Sequence, residues 1–364
     1  MRILILGDIN SSHVLKWIHA LPKNGFQVAL FTLSVPEPVL LNQLKNIEIF
    51  VASNADSKSF YSSDFSKLKY LNSLKKIRQI IKDWKPDIVH AHYATSYGLL
   101  GVLSNPTKLF ISVWGSDVFE FPLKSYFHKK TLSFILNHAD EVFATSEILA
   151  SKTEALTKTN VIVIPFGIDT SLFFPIQKIV SDDVVIGTVK SLEIVYGIDI
   201  LIKAFSEILK LYPANRILLK IVGTGSQELI LKKLVANFNL NGKVEFTGKV
   251  AFDKLPDYYR GFDIFANLSR SESFGVSVLE AMSTSVPVVV TATGGLNEIV
   301  DEKCGIHVPV EDVGQTVAAL KLLIDQRANA IQMGEAGRKR VLSKYNWNDC
   351  VQKMIYYYRN AKFN

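Results

Sequence analysis

At 364 residues the chain is too long for one ordinary domain and suits two of roughly 170 residues each. With 48% hydrophobic and 21% charged residues, each half can bury a core, which excludes a disordered chain. The net charge of +7 leaves anionic partners open, while no apolar run reaches the ~18 residues of a bilayer-spanning helix.

The opening run Arg2-Ile3-Leu4-Ile5-Leu6-Gly7-Asp8 reads as a buried strand, too soon interrupted by charge to be a secretory signal. Short apolar runs then alternate with helix-period stretches, the pattern of parallel sheets flanked by helices. In the first half, strands are predicted at 2–6, 28–33, 47–51, 88–90, 109–113, 141–144 and 161–164. Leu68, Leu71, Leu74, Ile77, Ile81 and Trp84 recur at helical spacing and make one apolar stripe. Its other side is basic, with Lys67, Lys69, Lys75, Lys76, Arg78, Lys82 and Lys85. A second basic cluster, Lys124, His128, Lys129 and Lys130, lies among Phe119, Phe121, Tyr126 and Phe127. Each suits nucleic acid, anionic lipid or a phosphorylated substrate; each could equally be a solvated face.

A break at Pro165-Phe166-Gly167-Ile168-Asp169, running to about Asp183, suits a linker. The alternation restarts with strands at 184–189, 217–222, 244–246, 264–266, 286–290 and 306–308, and a helix from Ile198. The expected division is an N-terminal Rossmann-like domain over 1–170, a C-terminal Rossmann-like domain over 171–345, and a last helix within 346–364 packing back on the first domain. The fold class is α/β, with two Rossmann-like domains facing across a cleft and ligands at the C-terminal ends of the strands. Cys304 and Cys350 have no metal spacing and form no disulfide framework, which points to a reducing, cytoplasmic home.

The most informative segment is Ser269-Arg270-Ser271-Glu272-Ser273-Phe274-Gly275-Val276-Ser277-Val278-Leu279-Glu280-Ala281-Met282, followed after a strand by Gly294-Gly295. A strand ends near Asn267, a loop carries Glu272, and a helix begins near Phe274-Gly275. A small residue at the helix start lets a ligand approach the backbone, and the free N–H groups there suit a diphosphate. Glu280, inside the helix, can accept hydrogen bonds from a vicinal diol such as a ribose, and Glu272 from hydroxyls beyond the phosphates. Taken alone, two Glu at this spacing are an ordinary surface pair.

This order closely resembles the retaining GT-B glycosyltransferases usually called family 4, in which Phe-Gly follows a first Glu and Glu-Ala-Met holds the second. Further matches are Gly223-Thr224-Gly225, Val244-Glu245-Phe246-Thr247-Gly248-Lys249-Val250, Leu255-Pro256-Asp257-Tyr258-Tyr259 and Pro165-Phe166-Gly167-Ile168-Asp169. The resemblance implies that Glu280 binds ribose hydroxyls, and that Glu272 with the backbone of Phe274, Gly275 and Val276 binds the donor sugar and its phosphate. Val250 would lie near the base, with Gly223 and Ser277 in the same donor-binding set. It implies no cofactor and no divalent metal, and the sequence has no Asp-x-Asp cluster that would hold one.

One segment departs from the pattern. Relatives carry Gly-Arg-Leu and then Lys-Gly, whose cations grip the diphosphate; in Gly187-Thr188-Val189-Lys190-Ser191-Leu192-Glu193-Ile194-Val195-Tyr196-Gly197, Ser191 and Tyr196 stand at those places. Lys190, with Arg270, is the expected substitute. On the acceptor side, His92 in Asp87-Ile88-Val89-His90-Ala91-His92-Tyr93-Ala94, and Trp114 and Asp117 in Ser112-Val113-Trp114-Gly115-Ser116-Asp117-Val118, are expected at strand ends. Relatives often have His where Trp114 stands. Ser11, Ser12 and His13 open the helix after the first strand and are further acceptor-side candidates. Catalytic candidates are Glu272, Asp117 and Lys190.

The implied function is retaining transfer of a sugar, from UDP as the family-weighted nucleotide, to a glycan or lipid-linked acceptor in cell-surface polysaccharide biosynthesis at the inner membrane face. The basic and aromatic stretches suggest peripheral contact with anionic membrane. The alternatives are a nucleotide-sugar epimerase and a silent nucleotide-sugar-binding partner subunit. No Gly-x-Gly-x-x-Gly follows the first strand of either half, against a dehydrogenase, and no nucleic-acid module is recognised.

Overall fold

Strands that are apolar on both faces belong in the middle of parallel sheets covered by helices, and both halves of the chain obey this rule. A computed structural model describes residues 1–52, 70–177, 183–213 and 216–361. The chain folds as two compact units, Met1–Pro165 with Cys350–Asn364, and Phe166–Asp349.

The first unit holds β1 (Arg2–Leu6), β2 (Gln27–Thr32), β3 (Glu48–Val51), β4 (Ile88–His92), β5 (Leu109–Val113), β6 (Glu141–Ala144) and β7 (Val161–Val163). Among the described residues they form one parallel sheet in the order β3-β2-β1-β4-β5-β6-β7. The order reverses between β1 and β4, where the C-terminal strand ends of such sheets open a crevice. Ile3, Leu4, Ile5 and Leu6 are fully buried at the centre. The helix Trp347–Arg359 adds its last turns here: the Tyr358 ring stacks on Phe110 with centroids 5.8 Å apart.

The second unit repeats the plan with β8 (Val184–Val189), β9 (Ile217–Val222), β10 (Val244–Gly248), β11 (Ile264–Asn267), β12 (Val288–Thr291) and β13 (Gly305–Val308). Its parallel order is β10-β9-β8-β11-β12-β13, with the reversal between β8 and β11. The helix Ile198–Leu211 buries Ile198, Leu201, Ile202, Phe205 and Ile208 beside the helix Val313–Asp325. Two Rossmann-like α/β units are therefore present.

The structure departs from the sequence reading in three places. β4 runs on to His92, so His90 and His92 share one face of a strand with ring centroids 4.6 Å apart. From Phe166 to residue 177 the stretch expected as a linker is part of the second unit: Phe166 packs on Phe274 and Phe173 on Tyr259. The basic helix spans Leu74–Trp84, while Lys67, Leu68 and Lys69 lie outside the described residues. No helix among the described residues is long and apolar enough to cross a membrane.

Candidate functional site

The loop after β11 carries the densest polar geometry of the second unit. The backbone N–H and hydroxyl of Ser269 both donate to Asn267 Oδ1, at 3.2 and 2.6 Å, and Thr291 Oγ1 donates to the Ser269 carbonyl at 2.6 Å. Glu272 leaves this braced turn, and its Oε2 accepts from Ser269 Oγ at 3.3 Å. Gly275 then caps the helix Val276–Ser283 with φ of 101°. A Cβ at Gly275 would lie 2.7 Å from Leu296 Cδ2, so glycine serves both the backbone turn and the fit. Phe274 is 2% exposed and packs edge-on against Phe166 and Tyr345, leaving its backbone as the part that can meet a ligand.

Lys190, just past β8, reaches across to this loop. Its ammonium donates to Glu272 Oε2, with the two side chains only 13% and 12% exposed. The same ammonium lies 4.6 Å from the centre of the Tyr196 ring, a cation–π contact. Tyr196, which stands where the resemblance implies a cation, thus holds one instead. Gly223 packs under this turn, its N–H donating to the Gly248 carbonyl at 2.9 Å. Arg270 is committed elsewhere: its guanidinium pairs with Asp199 at 3.0 and 3.1 Å and with Glu311 at 2.7 Å. Those hydrogen bonds, Asp199 first, raise its pKa further.

Glu280 is 5% exposed, and Tyr259 donates to its Oε2 at 2.7 Å. Burial, then the Glu280 charge, pushes the Tyr259 hydroxyl well above its usual pKa, so it stays a donor. The hydroxyl of Ser277, in the first turn of the helix, and Asn267 Nδ2 are buried with no hydrogen-bond partner among the described residues. Native structures rarely leave such atoms unsatisfied, and a polar ligand is one way to satisfy them. Val250 is half-buried just past β10. Tyr259 and the pairing of Arg270 were not legible as site features, because their partners lie far away in the chain.

In the first unit, Asp117 is fully buried and its carboxylate accepts N–H bonds from Ala94 at 3.0 Å, Trp114 at 3.1 Å and Gly115 at 2.8 Å. It ties together the turns after β4 and β5. Burial raises its pKa, opposed by those same donors. Tyr93, between them, has φ of 86°, an uncommon backbone state for a bulky residue, and opens the π-helical turn Ala94–Gly98. Its hydroxyl bonds Ser116 Oγ at 2.8 Å, and burial pushes its pKa up to about 12. Nothing in the sequence signalled that backbone.

Ser11 precedes the helix Ser12–Lys23, and His13 meets Trp114 with ring centroids 5.8 Å apart. His92 also packs on Trp114, at 5.3 Å, and is 1% exposed with neither ring nitrogen hydrogen-bonded among the described residues. His90 is bonded at both nitrogens, to Tyr358 Oη at 2.6 Å and Ser112 Oγ at 2.8 Å. Burial pushes the pKa of His92 down to about 3, and that of His90 well below 6.5. The native state therefore refuses protons that the unfolded chain accepts near pH 6.5, so the contribution is complete above that pH and shrinks as pH falls. At pH 5 His92 should cost about 2 kcal/mol relative to neutral pH, and His90 acts in the same direction. Denaturant midpoints for the first unit should drop from pH 7.5 to pH 5, and a flat profile would contradict the burial of this pair. Asp117 acts in the opposite sense, its stabilisation present at low pH and lost as pH rises.

Two family patterns match the chain: "Glycosyl transferase 4-like" over residues 2–146 and "Glycosyl transferases group 1" over residues 169–340. An uncharacterized glycosyltransferase of Methanocaldococcus jannaschii is 27% identical over 295 residues, 79% of either chain. The D-inositol 3-phosphate glycosyltransferase of Kineococcus radiotolerans is 26% identical over 326 residues, covering 76% of this chain and 72% of its own length. Among solved structures, sucrose-phosphate synthase from Thermosynechococcus elongatus superposes with a TM-score of 0.85 at 20% identity, over 99% of this chain and 98% of its own. Anabaena HepE in complex with UDP and glucose gives 0.80 at 18% identity, over 99% and 100%. At these identities the likeness shows the GT-B fold. The group 1 pattern covers most of the second unit and the 4-like pattern most of the first, and the chain belongs to the group 1 glycosyltransferases.

Proposed function

We propose that the protein is a retaining glycosyltransferase that moves a sugar from a UDP-sugar to a glycan or lipid-linked acceptor in cell-surface polysaccharide biosynthesis. The observation that carries this reading is the Lys190–Glu272 pair beside the helix start at Gly275, with Glu280 held by Tyr259 further along the same helix. The diphosphate takes the amides of Val276 and Ser277 and the Ser277 hydroxyl, the ribose diol takes Glu280, and the base lies against Val250. Gly223 keeps the Lys190 turn close to this pocket. UDP as the nucleotide is supported by HepE, whose structures contain UDP, UDP with glucose, and UDP-glucose.

In this mechanism the bond between the anomeric carbon and the diphosphate oxygen breaks as the acceptor oxygen bonds the same face. The acceptor proton passes to the departing phosphate oxygen. The chain supplies position and charge: Lys190 and the helix-start amides neutralise the leaving group, so the step draws on no divalent metal. Glu272, already engaged by an ammonium, orients sugar hydroxyls rather than attacking carbon. Arg270 acts by bracing the Glu272 loop against Asp199 and Glu311. Asp117 shapes the acceptor side through the Trp114 and Ala94 backbone, against which His92, His13, Ser11 and Ser12 meet the acceptor.

Melting the protein against a panel of nucleotide sugars tests the reading, since a ligand that binds only the folded state raises Tm. UDP-sugars should stabilise it and, with acceptor, yield product of unchanged anomeric configuration by NMR. Ser191 and Tyr196 motivate a silent binding subunit as the second reading, which stabilisation without any turnover would favour. An inverted product would overturn retention.

A further inference from the structure

We infer that the segment from Phe121 to Phe134 is a docking surface for anionic bilayers, inserting Leu123, Tyr126 and Phe127 at the headgroup boundary. These three side chains are 82%, 68% and 79% exposed, and Phe134 adds 44% on the helix face away from the buried Leu132, Ile135 and Leu136. Lone exposed apolar groups are ordinary, but a cluster of large ones on one short stretch is not. The stretch is also rigidly held. Ser125 caps the helix Tyr126–Asn137 by accepting the His128 N–H, and its hydroxyl bonds His128 Nδ1 at 2.7 Å. Phe121 turns inward against the core and meets the His128 ring at 4.8 Å. The exposed aromatics therefore project from a fixed base.

Charge selects the occupant. Lys124, Lys129 and Lys130 are all exposed, Lys130 lies 5.5 Å from the Tyr126 ring centre, and no acidic residue occurs between Glu120 and Asp140. Lysines interleaved with Leu, Tyr and Phe match a surface of anionic headgroups over acyl chains, where aromatic rings settle and each cation adds attraction. The other basic stretch fits less well. In the helix Leu74–Trp84, Lys76 donates to the Val51 carbonyl and Arg78 to the Leu103 carbonyl, and among the described residues that helix exposes no large apolar side chain.

The surface depends on the proposed membrane-borne acceptor only for its purpose, and binding can be read without turnover. Co-sedimentation of the full chain with vesicles of phosphatidylcholine and phosphatidylglycerol, against phosphatidylcholine alone, should show binding that prefers the anionic vesicles and weakens with salt. The Leu123→Ser, Tyr126→Ser, Phe127→Ser triple variant should lose about tenfold or more of that binding. Lys124→Glu with Lys129→Glu and Lys130→Glu should lose a similar factor and all preference for phosphatidylglycerol. Lys75→Glu with Lys82→Glu should stay within about twofold of the parent. All variants should keep the parent Tm and its shift with UDP, which separates failure of this surface from failure of the donor reading. Absence of parent binding to the anionic vesicles, undiminished binding by either triple variant, or loss confined to the Lys75 and Lys82 control overturns it.

Discussion

A Glu272→Gln enzyme is expected to transfer sugar about 100-fold more slowly than the parent, because its neutral amide cannot hold Lys190 in place or accept as strongly from sugar hydroxyls. The pair is largely removed from water, at 13% and 12% side-chain exposure, so its loss is not softened as a surface pair's would be. Removing the partner strands a cation in a semi-buried pocket. Lys190→Ala should therefore also slow the reaction, and the double variant should fall less than the two losses multiplied, since both residues act as one unit. The effect should appear mainly in kcat if the contact strengthens as the diphosphate departs. Far-ultraviolet circular dichroism and Tm separate catalysis from folding. A Glu272→Gln enzyme within threefold of parental kcat/KM, with Lys190→Ala equally active, would remove the pair from the mechanism.

The largest structural effect should come from Gly294→Ala. Gly294 has φ of 48°, and a Cβ there would collide with the Glu272 carbonyl oxygen. That oxygen also accepts the Gly295 N–H at 3.0 Å, so the two loops are in backbone contact. The methyl group cannot be fitted without moving the Glu272 loop, at a cost of about 3 kcal/mol and a Tm fall of about 10 °C for the second unit. Donor-induced stabilisation should disappear with it. Gly261→Ala is the control, since a Cβ there would have nothing within 4 Å and its backbone is not left-handed. If Gly294→Ala melts with the parent and still responds to UDP, the loops are not coupled as described.

The parallel-sheet plan was legible because buried strands such as Ile3-Leu4-Ile5-Leu6 and Val288-Val289-Val290 are apolar on both faces, and local composition carries that signal directly. The Glu272-to-Glu280 loop was legible as well, since one contiguous stretch supplies the strand end, the acid, the small residue and the helix. What escaped was long-range. Lys190 could be named as a cation near the strand end, but its pairing with Glu272 spans 82 residues and its seat on Tyr196 depends on how a turn closes. His90 finds Tyr358 across 268 residues, which no periodicity encodes. The segment from Pro165 onward looked like a tether because Pro and Gly punctuate it, yet Phe166 and Phe173 are drawn into the second unit's core. Turn residues mark where regular structure ends and say little about whether the chain beyond them is packed. The left-handed backbone of Tyr93 has no sequence signature, since a tyrosine there is held by its surroundings.

A structure of the protein bound to UDP tests the donor pocket most directly. The diphosphate should lie on the Val276 and Ser277 amides with Lys190 turned toward it, the ribose hydroxyls on Glu280, and the uracil beside Val250. UDP found elsewhere in the second unit, with Glu280 away from the ribose and the helix start at Gly275 bare, would contradict this assignment.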